Sequence, residues 1–232
     1  MTNREAAGQR VDLVAQVTLH VLSERLLILQ DGLRGAYTYA PEAMDRPISA
    51  GDWCRIEGTA SPGGFAPIVL ANKVTPIRSA PLPQPLRFGK EQLNDASLEN
   101  IWGTVRAKVL EVKLRAGPRG AILIFDSEGI TMQGRWYGHS VEELNALVGA
   151  EVEIEAVVGT ISNGRGQRLG PNLMIGRGGA LRVIRPPAPV KWQADLLPIG
   201  TLLAFQSKAG VGDAVRIRGR VIHVRGDKQF HL

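Results

Sequence analysis

Three stretches of alternating apolar residues recur along this chain, and their spacing limits what it can fold into. Val11, Leu13, Ala15, Val17 and Leu19 recur at every second position. Val215, Ile217, Gly219, Val221 and His223 repeat that beat, and Ile101-Trp-Gly-Thr-Val-Arg-Ala-Lys-Val109 is a looser third copy. Gly51-Asp-Trp-Cys-Arg-Ile-Glu-Gly58 is echoed by Gly149-Ala-Glu-Val-Glu-Ile-Glu-Ala156. The period is about 100 residues, the size of a small domain and far longer than a solenoid repeat. Two complete units and the start of a third fit the 232 residues.

Each unit reads as five strands. In the first, alternation and turn residues place strands at 11–21, 25–30, 36–39, 52–59 and 68–77. In the second they fall at 101–114, 120–126, 129–137, 150–159 and 172–184. Between its third and fourth strands, Ser140 and Glu143 form a capping box. Val141, Leu144, Leu147 and Val148 make one apolar stripe, and Gly149 closes the helix. Five strands with a helix between the third and fourth is the chain order of the OB-fold, a five-stranded Greek-key barrel. The rivals are a generic β-sandwich and an SH3-like barrel. The expected class is therefore all-β with short helices: two tandem five-stranded OB-like Greek-key barrels plus the first hairpin of a truncated third. The barrels span 11–80 and 100–185. Pro-rich linkers with short helices occupy 81–99 and 186–205, and 206–232 begins the third unit. The prolines favour extended spacers.

Composition narrows function by exclusion. No apolar run approaches the length of a membrane helix, and the first ten residues lack a hydrophobic signal segment. A single cysteine, Cys54, excludes an internal disulfide and a cysteine-rich zinc site, and its strand context reads as a buried thiol. His20, His139, His223 and His231 stand at no metal-ligand spacing. Glu151, Glu153 and Glu155 share one strand face, which alternation alone explains. The glycine-rich stretches 159–166 and 176–179 lack the Lys-Ser/Thr pair of a phosphate loop and read as turns. No catalytic residue, metal site or cofactor is expected. The net charge of +6 is uneven: residues 1–80 carry 8 basic and 8 acidic side chains, whereas 186–232 carry 7 and 3. Neither complete unit is strongly basic.

One surface stands out as a ligand candidate. OB-folds bind ligands on the face of strands two and three and on the loops joining strands 1–2 and 4–5. In the second unit those loops bring Arg115, Arg119, Arg165 and Arg168 to one rim, with Arg135 and Trp136 on the adjoining strand. The first unit offers Tyr37 and Tyr39. Arginine beside aromatics suits an anionic or stacking ligand.

A family resemblance rests on other residues. These are Leu27-Ile-Leu-Gln-Asp-Gly32, Gly51-Asp52 ahead of Glu57-Gly58, Phe65-Ala-Pro-Ile68, the Pro-Leu-Pro-x-Pro linker, Pro198–Phe205 and Val215–Val221. Together they resemble the tandem OB-like sensory region of bacterial sensor histidine kinases. The resemblance implies an extracytoplasmic, periplasmic location, a longer parent with a membrane anchor and kinase module, and a non-enzymatic role here. That role is binding a small ligand or partner protein, or spacing subunits in signal transduction. Residues 215–232, as only the first hairpin of a barrel, are expected to dock on the second unit, to fray, or to self-associate through an exposed strand edge of another molecule. The alternative is a nucleic-acid-binding OB protein that uses the arginine rim and aromatic face, which the charge distribution disfavours. Removal of 206–232 should leave a folded two-barrel protein; loss of cooperative urea unfolding in that deletion would contradict the domain reading.

Overall fold

A computed structural model of the chain describes residues 7–41, 47–113, 121–137, 141–176, 179–188, 195–202, 215–225 and 229–231. The first barrel is built from β1 (Arg10–Val21), β2 (Leu26–Asp31), β3 (Arg34–Tyr39), β4 (Asp52–Ser61) and β5 (Ile68–Ser79). Its strands close in the order β1-β2-β3-β5-β4. β3 and β5 run parallel, and every other pair is antiparallel. This is the connectivity of the OB-fold. A linker follows, with β6 (Leu86–Phe88), α1 (Lys90–Asn94) and a 3-10 turn at Ala96–Leu98.

The second barrel repeats the order. It contains β7 (Ile101–Lys113), β8 (Ala121–Ser127), β9 (Ile130–Trp136), α2 (Val141–Asn145), β10 (Glu151–Ser162) and β11 (Arg168–Ile175). β9 and β11 are parallel, and the β10–β7 pairing closes the circuit. The expected fifth strand over 172–184 is divided. β11 ends at Ile175, and β12 (Leu181–Arg185) resumes after a glycine-containing turn to pair with the other half of β10. A side chain at Gly179 would meet the Glu155 carbonyl at 2.7 Å, so glycine is needed where the chain turns. Leu144 anchors α2 to the core; α2 ends at Asn145, so Gly149, at φ +90°, does not close the helix as expected but turns the chain into β10 after a run of turns. Ser140 lies outside the described residues, so the cap does too. Farther on are β13 (Leu196–Leu197), α3 (Ile199–Leu202), β14 (Arg216–Ile217), β15 (His223–Arg225) and β16 (Gln229–His231). They form two small sheets, β13 with β14 and β15 with β16.

Each barrel has its own core. In the first, Ala15, Val17, Leu27, Leu29, Cys54, Ile56 and Val74 point inward. Cys54 is fully buried. In the second, Ile101, Val105, Phe125, Leu123, Ile154 and Leu173 do so. A third cluster belongs to neither barrel alone. Leu19, Val21, Leu26 and Ile28 of the first pack against Trp102, Val157 and Met174 of the second. Register explains both halves. Leu19 pairs with Ile28, and Val21 with Leu26, which makes one apolar patch across β1 and β2. Trp102 pairs with Val157, and Val157 with Met174, which makes a stripe across β7, β10 and β11.

This corrects one reading of the sequence. Leu19 is not the last inward residue of a single alternating face. The register shifts between Val17 and Leu19, a β-bulge that turns Leu19 and Val21 to the opposite side. β2 is then buried on both faces, with Leu27 and Leu29 inside its own barrel and Leu26 and Ile28 at the interface. Each of these side chains contributes about 1.5–3 kcal/mol by burial.

Polar contacts fix the two barrels at this seam. The buried Gln30 carboxamide accepts the Trp102 backbone N–H at 2.7 Å and donates to the Gly32 carbonyl at 2.9 Å. A side chain at Gly35 would meet the Asn100 carbonyl at 2.3 Å, so the two backbones touch there. Gln30→Ala should cost about 1–3 kcal/mol, because it strands a buried N–H donor. Urea denaturation reads this directly, and an unchanged midpoint would mean that the donor finds another acceptor.

Candidate nucleic-acid interface

The interface buries an outer strand face on the first barrel and leaves the equivalent face of the second open. In the first barrel the outer side of strand two is covered, with Leu26 1% exposed and Ile28 0%, whereas Tyr39, paired with Leu26 on strand three, is 42% exposed. In the second barrel the equivalent face of β8 and β9 remains accessible. Ile122, Ile124 and Asp126 are half-buried there and Gln133 is exposed. Register pairs Ile122 with Arg135, Ile124 with Gln133 and Asp126 with Thr131, so the apolar and polar residues lie in adjoining rows. Lys113 pairs with Ile122 from the neighbouring β7.

The residues singled out from the sequence divide between this face, the core and the seam. Arg135 sits on the open face. Arg165 is exposed on the turn between β10 and β11, which Asn163 holds by accepting the Arg165 and Gln167 backbone N–H groups at 3.0 Å each. Arg168 is tied down instead. Its guanidinium donates to the Leu93 carbonyl at the end of α1, and its Nε is buried. Trp136 is turned inward, because strand parity places Met132, Gly134 and Trp136 on the core side and Gln133 and Arg135 outside. It offers no stacking surface. Arg115 and Arg119 lie outside the described residues. Tyr37 and Tyr39 pack edge to face at 5.3 Å; Tyr37 is half-buried at the seam and Tyr39 is 42% exposed.

Sequence reasoning missed a cleft of about 270 Å³ along the seam. Leu26 and Tyr37 line it from the first barrel, and Glu99 and Asn100 from the linker. Gln133, Arg135, Tyr137, Thr160, Asn172 and Met174 line it from the second. The signal for it was the unbroken apolar run Leu26-Leu-Ile-Leu29, which marks a strand buried on both faces. The open face and the cleft share Gln133 and Arg135 and are therefore continuous.

Glu24, on the 3-10 turn Leu22–Glu24 between β1 and β2, organises one side of the cleft. Its Oε2 accepts the Tyr137 hydroxyl at 3.4 Å and lies 3.8 Å from the Arg135 guanidinium. Burial, followed by the Glu24 charge, raises the Tyr137 phenol. Burial, followed by contact with Tyr39, raises Tyr37 well above its ordinary range. Both hydroxyls therefore remain donors at neutral pH. Glu99 accepts the Thr160 N–H at 3.2 Å. Burial raises its carboxyl, against the opposing pull of Thr160 and Arg168.

Two of the three strand glutamates are paired with arginines. Glu153 bonds Arg106 at 2.8 Å and Arg182 at 2.5 Å, which hold its carboxyl below the ordinary range, and Glu151 bonds Arg185 at 2.8 Å. Among the described residues no group of His, Cys, Asp and Glu side chains is placed to hold a metal ion. No helix among them is long and apolar enough to cross a membrane.

No family model matches the chain, and no curated protein does. Solved structures similar to it include the OB domain of a Methanosarcina mazei protein, at 13% identity and TM-score 0.35, covering 46% of this chain and 90% of that one. A murine DNA-binding protein bound with double-stranded DNA shares 12% identity at TM-score 0.37, covering 77% and 97%. A replication protein A heterotrimer bound to single-stranded DNA shares 13% at 0.33, covering 75% and 48%. The fold assignment rests on strand order rather than on these low scores. The resemblance to the sensory region of histidine kinases is corrected: the structures named here are OB-fold or DNA-bound proteins, and no family model supports a sensor. Its motifs were turns, strand ends and linkers, which carry no chemistry of their own. The extracytoplasmic location depended on that resemblance alone and is withdrawn with it.

The raised carboxyl of Glu99 gives a pH test. A buried acid whose folded pKa exceeds its unfolded value favours the fold below the unfolded pKa, and that contribution is lost as pH rises through the folded one. Glu99→Gln keeps an acceptor for Thr160 and should be more stable than the parent at pH 7, with the gain vanishing below the carboxylate range. Thermal melts across pH measure this; a variant less stable at pH 7 would show that Arg168 holds the charge favourably.

Proposed function

We propose that the chain is a non-enzymatic tandem OB-fold module that binds single-stranded nucleic acid. The observation that carries this reading is the asymmetry between the barrels. The outer face of β8–β9 is left open, while on the first barrel the outer face of β2 is buried in the seam. That open face is where OB-folds receive oligonucleotides, between the 1–2 and 4–5 loops. It presents Arg135, Gln133 and Lys113 beside Ile122 and Ile124, with Arg165 at one rim. Cations track phosphates, and the apolar rows accept the flat faces of bases.

The DNA-bound proteins named above agree with this reading in kind. Aromatic content is only 5%, so stacking is a smaller part of affinity than in an aromatic-rich binder. Arg168 and Trp136 have no part in it; one holds α1 and the other fills the core.

Fluorescence anisotropy with a labelled single-stranded oligonucleotide tests the proposal. Micromolar binding at low salt that weakens steeply as salt is added is the expected result. Arg165→Ala should weaken binding evenly across sequences and flatten the log–log salt slope by about 0.7. Absence of binding at low salt would sink the reading.

A further inference from the structure

We infer that the cleft between the barrels holds one unstacked base of the bound strand. This rests on the nucleic-acid reading above and names a subsite within it. Size is the first argument. At about 270 Å³ the cleft is just below the range of drug-sized sites, which begins near ~300 Å³, and it suits one ring system rather than an extended ligand.

Chemistry is the second. Asn100, Gln133 and Asn172 line the cleft, and each side-chain amide carries both donors and an acceptor. Among the described residues none of these amides makes a hydrogen bond, although Asn100 is only 4% exposed. The Asn100 amide atoms are not sealed from solvent and open into the cleft, where a ligand's polar edge can replace water. Asn172 and Gln133 face each other across the parallel β11–β9 pair, so their two amides present one polar edge. Base edges offer the matching mix of donors and acceptors. The Tyr37 and Tyr137 rings supply apolar surface from opposite barrels, and Arg135 stands where the cleft meets the open face. A strand lying on β8–β9 would therefore reach the cleft without crossing a barrier of protein.

Asn100 also holds φ +61°, a conformation that costs an ordinary residue and that Asn and Gly tolerate best. Glycine would satisfy the backbone equally well. Its use of asparagine adds an amide to the cleft, and that separates the two roles experimentally.

The test compares two short single strands of equal length, one bearing bases and one of abasic deoxyribose phosphate, using the full chain. The parent protein should prefer the base-bearing strand. Asn100→Gly keeps the backbone conformation and removes the amide. Asn172→Ala removes the facing amide and leaves strand pairing intact. Each should weaken binding of the base-bearing strand roughly tenfold and leave the abasic strand unchanged. A parent that binds both strands equally overturns the base subsite alone. So do variants that lose neither strand, or that lose both alike. A parent that binds neither strand defeats the nucleic-acid reading itself, and the subsite with it.

Discussion

The arrangement depends on a single strand being buried from both sides. β2 contributes Leu27 and Leu29 to its own barrel and Leu26 and Ile28 to the seam. Gln30, at its end, accepts the Trp102 N–H of the next barrel. Apolar burial supplies most of the attraction and has no direction. The Gln30 bond and the backbone contact at Gly35 supply direction, since each is satisfied at one relative position only. Without that seam there would be two independent barrels on a linker, and no cleft.

The seam also sets the electrostatics of the candidate site. Glu24 belongs to the first barrel, while Arg135 and Tyr137, its partners, belong to the second. Its second carboxylate oxygen is buried with no hydrogen-bond partner among the described residues. The Glu24 charge sits close to the open face and tempers the cation beside it. The charges there are graded: exposed Arg165 at the rim, then Arg135 partly balanced by Glu24 at the cleft mouth.

Much of the architecture was legible in the residues, for an ordinary reason. Each barrel strand has one face inward, so apolar alternation reports it, and the duplicated order reinforced the reading. What was not legible depended on exceptions to alternation. The bulge at Thr18 leaves the Val17–Leu19 spacing unchanged in sequence and reverses its meaning in space. Trp136 looked like a surface aromatic because arginine and tyrosine flank it, yet strand parity sends it inward. Arg168 looked like a rim cation, but the carbonyl it caps, Leu93, lies 75 residues away and no local pattern reveals it. The cleft required the relative placement of two barrels, which no single repeat encodes.

The two barrels meet through unlike surfaces: strands one and two of the first against strands one, four and five of the second. Such a head-to-tail contact is not self-complementary. It buries the outer face of β2 on the earlier barrel and leaves that of β8–β9 open on the later one, so two copies of one fold present unlike surfaces and are free to diverge under different demands.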